Sequence, residues 1–235
     1  LNIWVSSSSG WMDMSVYDDC YEKDFPDLRK EYAIASLDLS TNKDTTCFML
    51  SWAIKDKIYF KPFFFLPKTT AEEYENQFGI PWSLWSEDKN NNLFLMDGDF
   101  IDYDYVSDKI LSIIEEYRVS RVYYDKYRHS SITNSLKNYG IDCVQHGQDF
   151  ASMSSCIQEL EKNFLARTAR HDGNKILRFC VENSNVNTDS SGRIKLIKPS
   201  FSDHRKIDGA VCMAMCQSGW LVEQLSWSAS LLFKK

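Results

Sequence analysis

Apolar and polar residues change rhythm along the chain. Residues 32–40 form a short apolar run bounded by polar turns and read as a buried strand. After a turn at 42–44, residues 45–54, rich in Thr, Phe and Trp, read as a second strand; Lys55-Asp56 makes a tight connection to a third at 57–66. Parallel strands need a longer crossover, so these links predict an antiparallel three-strand meander, with Phe63, Phe64 and Phe65 as core. Residues 67–100 are less regular. Thr70 ahead of Glu72, Glu73 and Glu75 marks a short helix start, and Pro81-Trp82 opens a turn or another helix, with Trp82 and Trp85 covering an apolar edge. Tyr105, Ile110, Ile113, Ile114 and Tyr117 recur at helical spacing and predict an amphipathic helix over 102–117. Beyond it, strands at 121–125 and 141–146 alternate with helices at 130–139 and 152–167, the pattern of a parallel sheet. Residues 185–188 and 193–197 flank Asp189-Ser-Ser-Gly192 as a hairpin, and 207–217 form a last apolar helix. The expected fold class is α/β: a mixed sheet, antiparallel meander plus parallel strands, flanked by helices. Residues 1–30 read as an arm with a short helix over 12–21, residues 31–220 as the body and 221–235 as an apolar tail.

Composition supports a packed body. Of 235 residues 43% are apolar and 26% charged, and nine glycines with five prolines exclude a collagen-like or linker-dominated chain. The net charge of -6 argues by itself against nucleic acid. Its distribution argues otherwise: residues 1–120 carry -11, whereas residues 121–210 carry +4. Seven cysteines without a C-x-x-C pair, and only four histidines, argue against a zinc site and predict reduced, packed thiols. Cys212 and Cys216 fall on one helical face. No signal peptide opens the chain, and the apolar stretch 209–222 is too short to span a bilayer. The start at Leu1 rather than Met leads us to expect a piece of a longer protein.

Three carboxylates interrupt this pattern. Asp38 sits among apolar residues of the first strand, where desolvation costs several kcal/mol unless something compensates it. Asp125 ends the strand at 121–125, the strand end where α/β folds place sites. Asp208 opens the last helix. Each has a bland explanation: a turn cap, a helix N-cap and a favourable helix-dipole interaction, respectively. Together they say more. If the strands at 32–40 and 121–125 are neighbours and the last helix crosses them, the acids converge, and clustered carboxylates repel unless cations sit between them. Oxygen-only ligands suit Mg²⁺ or Mn²⁺, and two such ions can promote water attack on a phosphodiester.

Leu37-Asp-Leu-Ser-Thr-Asn-Lys-Asp44, Tyr123-Tyr-Asp125 and Lys206-Ile-Asp-Gly-Ala210, in this order and spacing, resemble the nuclease domain of the large terminase subunit of tailed bacteriophages. Leu1-Asn-Ile-Trp-Val5 with Trp11, Asp99-Phe-Ile-Asp-Tyr103, Gln148-Asp-Phe-Ala-Ser-Met-Ser154 and Glu159-Leu-Glu161 extend the resemblance over residues 1 to about 220. It implies a ribonuclease H-like fold and a metal-dependent endonuclease that cuts concatemeric viral DNA. It also implies the portal and small terminase subunit as partners, no membrane, and the host cytoplasm as the place of action. Asp38, Asp125 and Asp208 match the family's metal-binding acids, with two Mg²⁺ or Mn²⁺ ions as cofactors. Asp44 matches an accessory acid of some members, turn capping being its alternative role. No G-x-x-x-x-G-K motif occurs, so ATP hydrolysis is not expected here, and the family's motor would lie upstream of Leu1.

The charge map nominates Lys126, Arg128, Arg193, Lys195, Lys198, Arg205 and Lys206 as contacts to double-stranded DNA, the hairpin lying along the phosphate backbone; Arg205 and Lys206 could instead balance the acids. Two other readings stand beside this one. The chain could be a different ribonuclease H-like nuclease, acting on Holliday junctions, transposon ends or RNA–DNA hybrids. It could also be a non-catalytic packaging module.

Overall fold

The antiparallel meander forms where the turns predict it. The computed structural model of the protein describes residues 10–40, 44–125, 130–199 and 204–232. Strands β1 (Tyr32–Asp38), β2 (Thr46–Ile54) and β3 (Lys57–Pro67) pair antiparallel, with Asp38 opposite Cys47 and Trp52 opposite Tyr59. On the far side of β1, strand β5 (Arg118–Asp125) runs parallel to it and β6 (Asp142–His146) parallel to β5. These are the parallel strands that the helix–strand alternation requires. Helix α5 (Ser130–Asn138) is the crossover from β5 to β6, and α4 (Tyr103–Glu116) leads into β5.

Sequence reading missed the outer side of β3. There β4 (Leu93–Met96) and β7 (Ala169–His171) both pair with it in parallel, so among the described residues the sheet has seven strands in the order β4-β3-β2-β1-β5-β6 with β7 beside β3. Runs of three and four residues carry too little periodicity to be read alone. Helices α2 (Lys68–Phe78) and α3 (Trp82–Glu87) precede β4. Helix α6 (Phe150–Leu165) starts two residues earlier than expected because the Asp149 carboxylate caps it, accepting from the Ala151 and Ser152 N–H groups. Helix α7 (Lys175–Glu182) had a legible signal: Asn174 caps it, and Ile176, Leu177, Cys180 and Val181 are buried at helical spacing. The hairpin β8 (Asn185–Thr188) and β9 (Ile194–Ile197) forms as expected.

Helix α8 (Asp208–Leu232) runs through the expected body–tail boundary without a break. Its residues 209–217 are buried on every side, which explains why no polar face shows in that stretch. The core is two layers, one on each face of the sheet. Ile34, Met49, Phe60, Phe64 and Tyr123 face α6, α7 and α8, whereas Ala33, Ala35, Leu37, Phe48, Phe63, Phe65 and Val122 face α4 and α5. The short helix α1 (Met14–Asp18) lies in the described part of the expected arm, yet Trp11, Tyr17 and Cys20 there are core residues. Among the described residues no helix is long and apolar enough to cross a membrane.

Candidate functional site

Strand parity brings the acids to one side. Successive side chains alternate between the faces of a strand, so Asp38 shares the face of Ile34 and Ser36, and Asp125 shares that of Tyr123. Ile34 and Tyr123 belong to the layer under α8. Ser36 fixes α8 above them by donating its hydroxyl to the Cys212 carbonyl at 2.8 Å. Cys212 lies one helical turn after Asp208, and its thiol bonds the carbonyl of Cys47, the register partner of Asp38. The first residue of α8 is thereby set over the C-terminal ends of β1 and β5.

The electrostatics record this convergence. Burial, then Asp208, then Asp125 hold the Asp38 carboxyl well above the usual carboxylate range, against a hydrogen bond from Gln148. Asp208 is pushed up to about 7, first by burial and then by Asp44, with Lys198 and Lys206 opposing. Its Oδ2 is sealed from solvent and accepts no hydrogen bond among the described residues. A buried, unpaired oxygen beside other carboxylates suits a hard divalent cation, which would relieve desolvation and repulsion together. Among the described residues no three or more His, Cys, Asp or Glu side chains form a ready metal cage.

A second cluster adjoins the first. Asp44 takes the Lys206 ammonium and, at 3.2 Å, that of Lys198. Lys206 is fully buried, donates to the Tyr74 hydroxyl at 3.0 Å and lies over the Tyr74 ring. This corrects the expectation that Lys206 contacts DNA: a sealed ammonium, already held by an anion, presents no surface to a phosphate. The other basic candidates divide. Lys198 is turned onto Asp44, Arg193 pairs with Asp189 at 2.7 Å within the hairpin, and the Lys195 ammonium sits 4.8 Å from the centre of the Phe150 ring. Arg205 is exposed. Lys126 and Arg128 lie outside the described residues. Sequence reasoning also missed Gln148 as a site residue; it noticed this residue only within a longer motif. A cavity of about 360 Å³ walled in part by Phe25, Trp52, Lys61, Tyr117 and Asp172 is lined by none of Asp38, Asp44, Asp125 and Asp208.

A seven-stranded mixed sheet with acids gathered at the ends of two adjacent parallel strands defines a ribonuclease H-like protein. The chain belongs to the family of terminase large subunit endonuclease domains, whose model matches residues 1–223. It is 30% identical over 218 residues to the terminase large subunit of Enterobacteria phage HK97, covering 92% of this chain and 42% of that protein. The crystal structure of the HK97 large terminase superimposes with a TM-score of 0.79 at 27% identity, over 90% of this chain and 43% of that one. Protein YmfN of Escherichia coli strain K12 is 25% identical over 227 residues, covering 92% of this chain and 49% of YmfN. The chain thus spans less than half the length of these curated relatives. The large terminase nuclease of thermophilic phage G20c, solved with bound magnesium, shares the fold at a TM-score of 0.52 and 13% identity, over 80% of each chain.

Proposed function

We propose that the chain is a divalent-metal-dependent DNA endonuclease that cuts concatemeric viral DNA during genome packaging. The observation that carries this reading is the meeting of Asp38, Asp125 and Asp208 on one face of a terminase nuclease fold, where burial and repulsion raise the carboxyl groups of Asp38 and Asp208. These acids would hold Mg²⁺ or Mn²⁺, and we assign two ions, as the oxygen-only ligand set and the chemistry of the family suggest. The chemistry such ions supply when bound is activation of water and neutralisation of charge on the phosphate oxygens. Water attacks phosphorus, the bond to the 3′ oxygen breaks, and a proton passes to that oxygen, leaving a 5′-phosphate and a 3′-hydroxyl without a covalent protein intermediate. Helix α8 carries Asp208 to the strand ends and Gln148 donates to Asp38, while Lys206 and Lys198 offset the extra negative charge of Asp44.

Double-stranded DNA would run past this face, held through its phosphates by Arg205, Arg193 and Lys195 and, outside the described residues, by Lys126 and Arg128. Family membership supports the portal and the small terminase subunit as partners of the whole protein, and the bacterial host cytoplasm as its setting. Within the chain, residues 31–220 would carry the nuclease, with 1–30 joining it to a motor and 221–235 extending it.

Plasmid nicking tests the reading. With Mg²⁺ or Mn²⁺ the protein should nick and linearise supercoiled DNA, and a chelator should stop it. Asp38→Asn, Asp125→Asn and Asp208→Asn should each cost more than the roughly 10–100-fold that loss of an outer partner costs a metal site. Cleavage by Asp38→Asn at the wild-type rate would refute the site.

A further inference from the structure

The turn between β6 and α6 is built to deliver one side chain to Asp38. His146 ends β6 opposite Asp125, only 8% exposed, with its ring edge-on to Tyr123 at 6.2 Å between centres. Asp149 is committed to α6: its Oδ1 accepts from the N–H groups of Ala151 at 2.8 Å and Ser152 at 3.1 Å, and its Oδ2 from the Ser152 hydroxyl at 3.0 Å. Between these fixed points the chain has only Gly147 and Gln148. Gly147 leaves no room for a side chain, since a Cβ there would come within 2.6 Å of Asp149 Oδ2 and 2.7 Å of Ser152 Oγ. Gln148 is thereby aimed back across the end of β5, and its Nε2 donates to Asp38 Oδ1 at 3.3 Å.

We propose that Gln148 is a positioning residue that orients the Asp38 carboxylate for divalent-cation binding. The inference rests on the nuclease reading given above. A carboxamide suits this task in a way that a basic side chain does not. It donates one hydrogen bond, which restricts the rotation of the carboxylate, yet it brings no positive charge to compete with the cation. Asp44, by contrast, is served by two lysines, as fits a group whose charge is cancelled rather than kept.

Mn²⁺ binding by titration calorimetry, with Mn²⁺-dependent plasmid nicking beside it, tests this. Gln148→Met keeps the length of the side chain and loses the donor. It should weaken Mn²⁺ binding about tenfold, the lower end of the effect of an outer partner, and raise the Mn²⁺ needed for half-maximal nicking by the same factor. The KM for DNA and the thermal unfolding temperature should stay unchanged. Gln148→Ala, which also lacks the donor, should match it, and Gln148→Lys should be weaker still. In an Asp38→Asn background Gln148→Met should have no further effect on Mn²⁺ affinity. If Gln148→Met and Gln148→Ala bind Mn²⁺ as the wild type does while Asp38→Asn does not, the positioning role is refuted and the nuclease site stands. If Asp38→Asn binds Mn²⁺ as the wild type does, the site assignment fails and the role of Gln148 with it.

Discussion

Asp44 and Lys206 show how unequal the two halves of an ion pair can be. Lys206 is fully buried, whereas Asp44 is 30% exposed and holds a second cation, Lys198. Removing Lys206 leaves Asp44 with water and Lys198. Removing the Asp44 charge leaves an ammonium sealed in the protein, hydrogen-bonded to Tyr74, with the raised carboxyl of Asp208 as the remaining acid that acts on it. Asp44→Asn should therefore destabilise by about 3 kcal/mol, the lower end for an orphaned buried charge, and Lys206→Met by less than half of that. The double variant should return close to Lys206→Met. Urea unfolding of the four proteins measures this cycle, and equal losses in the two single variants would show that burial does not govern the pair. The same residues mark the limit of reading a sequence. Arg205 and Lys206 are adjacent basic residues, indistinguishable by charge. One is exposed and the other sealed, because Lys206 alone meets Asp44 and Tyr74 in the folded chain.

Among the elements, α8 decides the most. It seats the first residue of the helix over the ends of β1 and β5, and it does so by close approach to the sheet. Gly219 is the tightest point: a Cβ there would lie 2.6 Å from the Tyr123 ring and 2.9 Å from Ile34. Tyr123 and Ile34 stand on the two strands that end in Asp125 and Asp38. Gly219→Ala should force the helix away from the sheet at a cost of about 1–3 kcal/mol, as overpacking does. A fall in thermal unfolding temperature checks it, and an unchanged temperature would mean that the helix can shift freely. Element identity itself was legible where patterns were long. Strands β1, β2 and β3 and helix α4 fall within a few residues of their expected bounds. Strands β4 and β7 were not legible, because each is defined only by an edge of β3 that distant residues come to occupy.

At the scale of the molecule, the N-terminal segment is tied to the body through His171. This imidazole is 3% exposed and stacks on Tyr17 with ring centres 4.1 Å apart. The Gly173 N–H donates to its Nδ1, so Nε2 carries the proton and donates to the Tyr17 carbonyl at 2.9 Å. Burial pushes its pKa down to about 4. A folded-state value below the unfolded one of about 6.5 means that the unfolded chain binds the proton first. The stability contribution is then complete above pH 6.5 and is lost as pH falls toward 4, by roughly 3 kcal/mol in all. The urea stability of the wild type should decline over this window, and His171→Gln should flatten the decline. Amide exchange of residues 10–22 should accelerate over the same window. Equal slopes in both proteins would remove His171 from the account.

The amino-acid sequence by itself determined the class of sheet, since the turn lengths of the meander and the later alternation of helix and strand admit few arrangements. It also singled out Asp38, Asp125 and Asp208, because a carboxylate inside an apolar run or at a strand end stands out locally, and their order along the chain resembled one family. Tertiary structure alone decided that these acids share one face under α8 and that Gln148 reaches Asp38 across the end of β5. It also decided that Lys206 is buried against Asp44 while Arg205 stays outside. These relations join residues up to 170 positions apart, Asp38 and Asp208 being the widest pair. Local periodicity carries no information on such distances; strand pairing and helix packing set them.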